Sequence, residues 1–136
     1  MEILVDTNVF LDVVLNRAGC GAARDFFVKA RRYGDRTFVS ASALTDVFYI
    51  VRKHGGAEKA YEAVGAILGL ASVMPVTERD IRDAYAARWR DFEDCVQYKA
   101  ALNRRFDLCI SNNTADFEER GLPVMTPDDY VNNTMP

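Results

Sequence analysis

Short apolar runs recur along the chain, and the stretches between them repeat their apolar residues every three to four positions. Residues 3–5, 37–39, 108–110 and 123–125 read as strands, each followed by polar or turn-forming residues. Between the second and third runs, Leu44, Val47, Phe48 and Val51 fall on one helical face, and Tyr61, Val64, Leu68 and Ala71 form a second stripe. Both stripes are expected to be core; a groove or dimer face carrying Phe48, Tyr49, Tyr61 and Leu68 is the alternative. A fifth run, 73–76, contains Pro75 and reads as either a strand or a loop. Strands alternating with helices predict parallel pairing through right-handed crossovers, hence a layered α/β sheet.

The 136 residues suit one domain, expected over 1–131, with a frayed tail at 132–136. A composition of 49% hydrophobic and 27% charged residues is that of a globular protein and excludes a disordered chain. No apolar stretch reaches the roughly 18 residues of a membrane span, and the first residues lack the basic stretch of an export signal, so a cytoplasmic protein is expected. Cys20, Cys95 and Cys109 are odd in number and widely spaced, which predicts buried thiols and no disulfide framework or zinc knuckle. His54 is the only histidine, so a histidine-rich metal site is excluded.

The candidate chemistry is carried by acids. In "ILVDTNVFLDVVL", Asp6 closes the first apolar run and is followed by Thr7, Asn8 and a helical pattern. In an open parallel sheet, ligands bind beyond the carboxyl ends of the strands, which is where Asp6 is expected. Capping the next helix is the plainer account of Asp6 alone. Asp46, in "SASALTDVFYIVRK", borders the apolar arc of a helix that Ser40 or Ser42 can cap, and reads equally as a site residue or as an acid placed to suit the helix dipole. In "RDFEDCVQYKAAL", Asp91 is a plausible cap, and Asp94 is left without an equally good structural reason. In "DLCISNNTADF", a strand ends in Ser111, Asn112, Asn113, Thr114 and Asp116; as the parallel partner of the first strand it would bring these beside Asp6, although Asn112 and Asn113 also suit a simple turn.

Each cluster alone has a structural explanation, but their joint placement on one sheet edge does not. Crowded carboxylates repel and raise one another's pKa unless a cation lies among them. An all-oxygen set without histidine or thiolate selects Mg²⁺ or Mn²⁺ over zinc. Such ions serve in-line displacement at a phosphodiester, which points to a polynucleotide substrate. The net charge of −3 does not oppose this: without Asp6, Asp46, Asp91, Asp94 and Asp116, 17 bases face 15 acids. Arg24, Arg31, Arg32, Arg52 and Lys53 are candidate phosphate contacts, with a solvated face as the plainer account.

Taken together, "VDTNVFLDVVL", "DFEDCVQYKAA" and "CISNNTADF" resemble the PIN-domain family, particularly its VapC-type ribonuclease toxins. The resemblance implies a three-layer α/β/α fold with a mostly parallel sheet of about five strands. It implies an Mg²⁺- or Mn²⁺-dependent endoribonuclease, dimerisation, and silencing by an antitoxin. It places Asp6, Asp46, Asp94 and Asp116 in catalysis and Asp6, Asp94, Asn113 and Asp116 around the metal, with Asn8, Ser111 and Asp91 positioning substrate. Two positions depart from the family pattern: Asp46 stands where Glu is usual, and Asn112 replaces a common Arg.

Other strand-end-acid enzymes fit less well. A dehalogenase-type phosphatase wants an acid where Asn8 stands, a receiver domain wants a lysine soon after Ile110, and the glycine patterns of P-loop and dinucleotide sites are missing. The rival from another class is a non-catalytic PIN-like module that binds RNA or protein.

Overall fold

In the computed structural model, residues 1–133 are described. Five strands, β1 Glu2–Val5, β2 Arg36–Ser40, β3 Ser72–Met74, β4 Leu108–Ile110 and β5 Val124–Met125, form one sheet in the order β3-β2-β1-β4-β5. Every pairing is parallel, so the expected architecture is the one observed, and the 73–76 run contributes a strand that stops before Pro75.

The apolar runs are strands because both of their faces are covered. Ile3 and Val5 enter one core with α1 Thr7–Val14, α2 Cys20–Arg32, α3 Ala41–Leu70 and α6 Pro127–Asn133. Leu4, between them, points into a second core with α4 Glu78–Ala87 and α5 Phe92–Asn103. The two-residue period of a strand thus divides one tripeptide between two helical layers.

Within α3 the backbone breaks at Gly56, where φ is 87° and ψ 172°, a conformation suited to glycine. Before the break, Val47 and Val51 are buried as expected. Beyond it the expected stripe is wrong: Ala60, Ala63 and Ile67 face the core, while Tyr61 is 69% exposed and Leu68 51%. The bulkier residues make the stronger hydrophobic pattern, but the alanines let this helix lie close to the sheet. Of the cysteines, Cys95 and Cys109 are buried and Cys20 is only half-buried; all three are free thiols.

Tyr130 of α6 packs edge-on against Phe26 of α2 at 4.9 Å between ring centroids, docking the last helix. Asn132 and Asn133 close that helix and so do not trail from it, and 134–136 of the expected tail lie outside the described residues.

β1 pairs with β2 on one side and with β4 on the other, so the direction of winding reverses between β1 and β4. A crevice forms there, beyond the carboxyl ends of the strands.

Candidate active site

The first strand ends by pairing Val5 with Ile110, and the Asp6 N–H donates to the Ile110 carbonyl at 2.8 Å. That bond sets the end of β1 beside the polar segment after β4. Asp6 also caps α1, accepting from the Thr7 N–H at 2.8 Å. Capping and site placement are therefore compatible: a cap aimed at a helix N-terminus on this edge also faces the crevice.

Asp6 has 5% of its surface exposed and its carboxylate is held on three sides. Ser111 donates its hydroxyl to one oxygen at 2.9 Å. The other oxygen accepts from Thr7 and, more weakly at 3.4 Å, from the Gln97 amide. Gln97 also donates to Glu93 at 3.0 Å, so one buried amide ties two acids together.

Around them opens a cleft of about 280 Å³ lined by Asp6, Asn8, Asp46, Asp91, Asp94, Asn113 and Asp116, together with Thr7 and Glu93. α3 presents Asp46 from its second turn, after Ser40 has capped the helix through the Ala43 N–H at 3.1 Å. α5 presents Glu93 and Asp94 in its first turn, where acids suit the helix dipole. Asp91 caps α5 by accepting from the Asp94 N–H at 2.9 Å, which commits one of its oxygens to structure.

Ser111 is fully buried, and its hydroxyl is taken by Asp6 and by the Asn113 N–H at 3.1 Å. These contacts place it to orient Asp6. Asn112, in the place of a family Arg, turns away to donate to Asp12 at 2.8 Å. Arg24, Arg31, Arg32, Arg52 and Lys53 are all exposed and none lines the cleft. Arg90 lines an adjoining recess with Asp91 and Asp116.

Crowding leaves an electrostatic signature. Burial, then the neighbouring Asp6, Asp91, Glu93 and Asp116 charges, pushes the Asp94 carboxyl up to about 8. Burial and Asp6 push Glu93 up to about 7 against the bond from Gln97, with Asp46 and Asp91 adding to the rise. Asp6 is also raised, by burial first, although Ser111, Gln97 and Thr7 oppose the shift. In all three the surroundings favour the protonated form, a bias that positive charge brought among them would reverse.

A family model described as PIN domain matches residues 2–115. The chain belongs to the PIN-domain family. No curated protein matches the sequence significantly. Among solved structures, this PIN domain is similar to VapBC from Salmonella typhimurium bound to DNA, with a TM-score of 0.75 at 17% identity over 93% of this chain and 98% of that one. It is also similar to VapBC2 from Rickettsia felis bound to a promoter DNA fragment, with a TM-score of 0.73 at 12% identity over the same shares, 93% and 98%. A third is a sarcin–ricin-loop-cleaving VapC toxin of Mycobacterium tuberculosis, with a TM-score of 0.65 at 16% identity over 79% of this chain and 86% of that one. At these identities the likeness is one of fold.

Divalent ions are the cofactor expected of a PIN domain, and the cleft's chemistry fits one. Among the described residues, the buried side-chain polar atoms with no hydrogen-bond partner are Thr7 Oγ1, Glu93 Oε2 and Gln97 Oε1. Thr7 and Glu93 line the cleft, where a cation or its waters would satisfy their oxygens, and Gln97 lies behind them. Among the described residues no three acidic, histidine or cysteine side chains are already spaced to grip one ion, so side chains would have to close on it.

Glu93 and Gln97 are missing from the candidates drawn from sequence. Their signal lies in "DFEDCVQYKAA": a glutamine four residues after a glutamate, among residues that pack inward. An amide in such a place needs partners, and here they are two carboxylates.

Proposed function

We propose that this PIN-domain chain is an Mg²⁺- or Mn²⁺-dependent endoribonuclease that hydrolyses RNA phosphodiester bonds, and that it is the toxin of a toxin–antitoxin pair. The carrying observation is the convergence of Asp6, Asp46, Asp94, Asn113 and Asp116 on one cleft at the sheet's switch point, beside the partnerless oxygens of Thr7 and Glu93.

Asp6, Asp94, Asn113 and Asp116 would hold the ion. When bound, a divalent cation supplies positive charge beside the phosphate and water activated at neutral pH. Asp6 is kept in one orientation by Ser111, Thr7 and Gln97, so its carboxylate needs little rearrangement to serve. Asp46 faces the other acids from α3 and is the side chain we assign to the attacking water's proton. Asn8 and Asp91 line the rim and would position the substrate. Six carboxyl side chains without a cation, those of Asp6, Asp46, Asp91, Glu93, Asp94 and Asp116, would disfavour a phosphate, which makes strict metal dependence the physical expectation.

An antitoxin partner is supported by the VapBC complexes among the structural neighbours. We assign the partner or homodimer face to the exposed stripe of α3, where Phe48 meets Tyr49 and Tyr61 edge-on at 5.4 and 4.9 Å. Among the described residues no helix is long and apolar enough to cross a membrane, and we place the protein in the cytoplasm.

The test is end-labelled RNA, from a pooled tRNA and ribosomal RNA preparation, incubated with purified protein in EDTA, Mg²⁺ or Mn²⁺. Cleavage is expected only with the ions, and Asp6→Asn or Asp94→Asn should slow it by roughly a hundredfold or more while the protein stays folded. RNA binding with no cleavage under any ion would move the assignment to a non-catalytic PIN-like module.

A further inference from the structure

We infer that Glu93, which is not among the site candidates drawn from sequence, is a further ligand of the cation, held in readiness by Gln97. The inference rests on the metal-dependent reading above and adds to it a side chain and its support.

The geometry begins with Gln97, which is fully buried yet polar. Its amide nitrogen lies 3.0 Å from Glu93 Oε1 and 3.4 Å from Asp6 Oδ1. Reversing the amide would set its carbonyl oxygen against two carboxylates, so the nitrogen must face them. Each acid thereby gives one oxygen to the same donor, which brings the two carboxylates together at the floor of the cleft. The second oxygen of Asp6 is taken by Ser111, whereas Glu93 Oε2 has no partner at all. Glu93 is one residue before Asp94 on α5, and both line the cleft.

Two neighbours reinforce the point. The Thr7 hydroxyl, 8% exposed, and the Gln97 carbonyl are also buried without a donor. A carboxylate oxygen and a carbonyl oxygen with no hydrogen to accept, near a hydroxyl with no partner, form an environment that lacks positive charge. A bare divalent ion is smaller than a water molecule and needs several oxygens. Glu93 Oε2 is the charged member of the three and the one best able to bind it; the other two suit waters that the ion retains.

Mn²⁺ titration of the full chain by calorimetry, with water-proton relaxation to count the waters on the bound ion, tests this without reference to catalysis. Glu93→Gln keeps the shape and should weaken Mn²⁺ binding by roughly tenfold or more and add about one water to the bound ion. Glu93→Asp should fall between it and the parent. Glu93→Gln should melt no lower than the parent in EDTA, because it removes a crowded charge. Unchanged affinity and water number in Glu93→Gln would overturn the inference alone, as would weaker binding with an unchanged water number. A parent protein that takes up no Mn²⁺ would overturn the metal-dependent reading and this inference together.

Discussion

Asp6 and Asp80 are nearly equally buried, at 5% and 1% exposure, and their surroundings are opposite. Asp80, in the first turn of α4, accepts from the Thr77 N–H at 2.8 Å, the Asn103 amide at 2.8 Å and the Arg104 guanidinium at 3.1 Å. Burial alone would raise its pKa, but these donors outweigh it and the carboxyl is lowered. Asp6 has donors too, yet burial, with the Asp91 charge added to it and no cation beside it, outweighs them and its carboxyl is raised. Two buried aspartates on one fold thus separate by whether their charge is answered from within the protein. An answered carboxylate stabilises the fold, whereas an unanswered one is a cost that persists where something else is to be bound.

The largest test of this contrast is stability. Asp80→Ala removes the acceptor of a capping box and strands the half-buried Arg104 cation, and should cost about 3 kcal/mol, or roughly 10 °C in melting temperature. Asp94→Asn, in EDTA, should leave the melting temperature unchanged or raise it, because an amide relieves repulsion among its neighbours. Thermal unfolding of the two variants beside the parent decides the matter. Equal losses would mean that the cleft acids are as structural as Asp80.

An effect of pH is also expected, and its sign differs between the two regions. The unfolded chain releases the Asp94 and Glu93 protons near 3.8 and 4.5, whereas the folded chain holds them to about 8 and about 7. The folded state therefore binds more protons across that window, so metal-free stability should fall as pH rises from about 4 to about 8. Asp80, whose pKa is lowered, contributes above the unfolded value of 3.8 and loses that contribution only as the solution becomes more acid. Melting curves in EDTA at pH 5, 6.5 and 8 should show the decline, and saturating Mg²⁺ should flatten or reverse it. A melting temperature that rises with pH in EDTA would refute the crowding.

What could be read from the chain and what could not follows the same division. The strand runs, their parallel order and the arrival of the post-β4 segment beside Asp6 were legible because a doubly wound sheet leaves few other places for strand ends. Asp94 was singled out because capping explained it incompletely, whereas Asp46 was balanced against an acid placed to suit the helix dipole. The core face after Gly56 was not legible, since hydrophobic size favoured Tyr61 and Leu68 over Ala60 and Ala63, and helix phase across a glycine break is not a local property. The bond from Ser111 to Asp6 was not legible either, because whether a hydroxyl faces a cleft or braces a carboxylate depends on a neighbouring strand. Gln97 escaped notice because its meaning lies in Asp6, ninety-one residues away.

The smallest expected effect comes from restoring the family's usual residue at Asp46. Asp46 is exposed in the second turn of α3, so Asp46→Glu should change stability by no more than about 0.5 kcal/mol, with helix propensity slightly in its favour. The longer side chain extends the carboxylate by one methylene toward the other acids, with no buried neighbour to displace. If the shorter acid reaches its task through an intervening water, Asp46→Glu should raise the Mn²⁺-dependent cleavage rate by less than about tenfold, a change under about 1.4 kcal/mol. Single-turnover cleavage of one RNA at fixed Mn²⁺ measures this directly. A collapse of the rate in Asp46→Glu would show instead that the cleft is built around aspartate, with the backbone of α3 placed for the shorter reach.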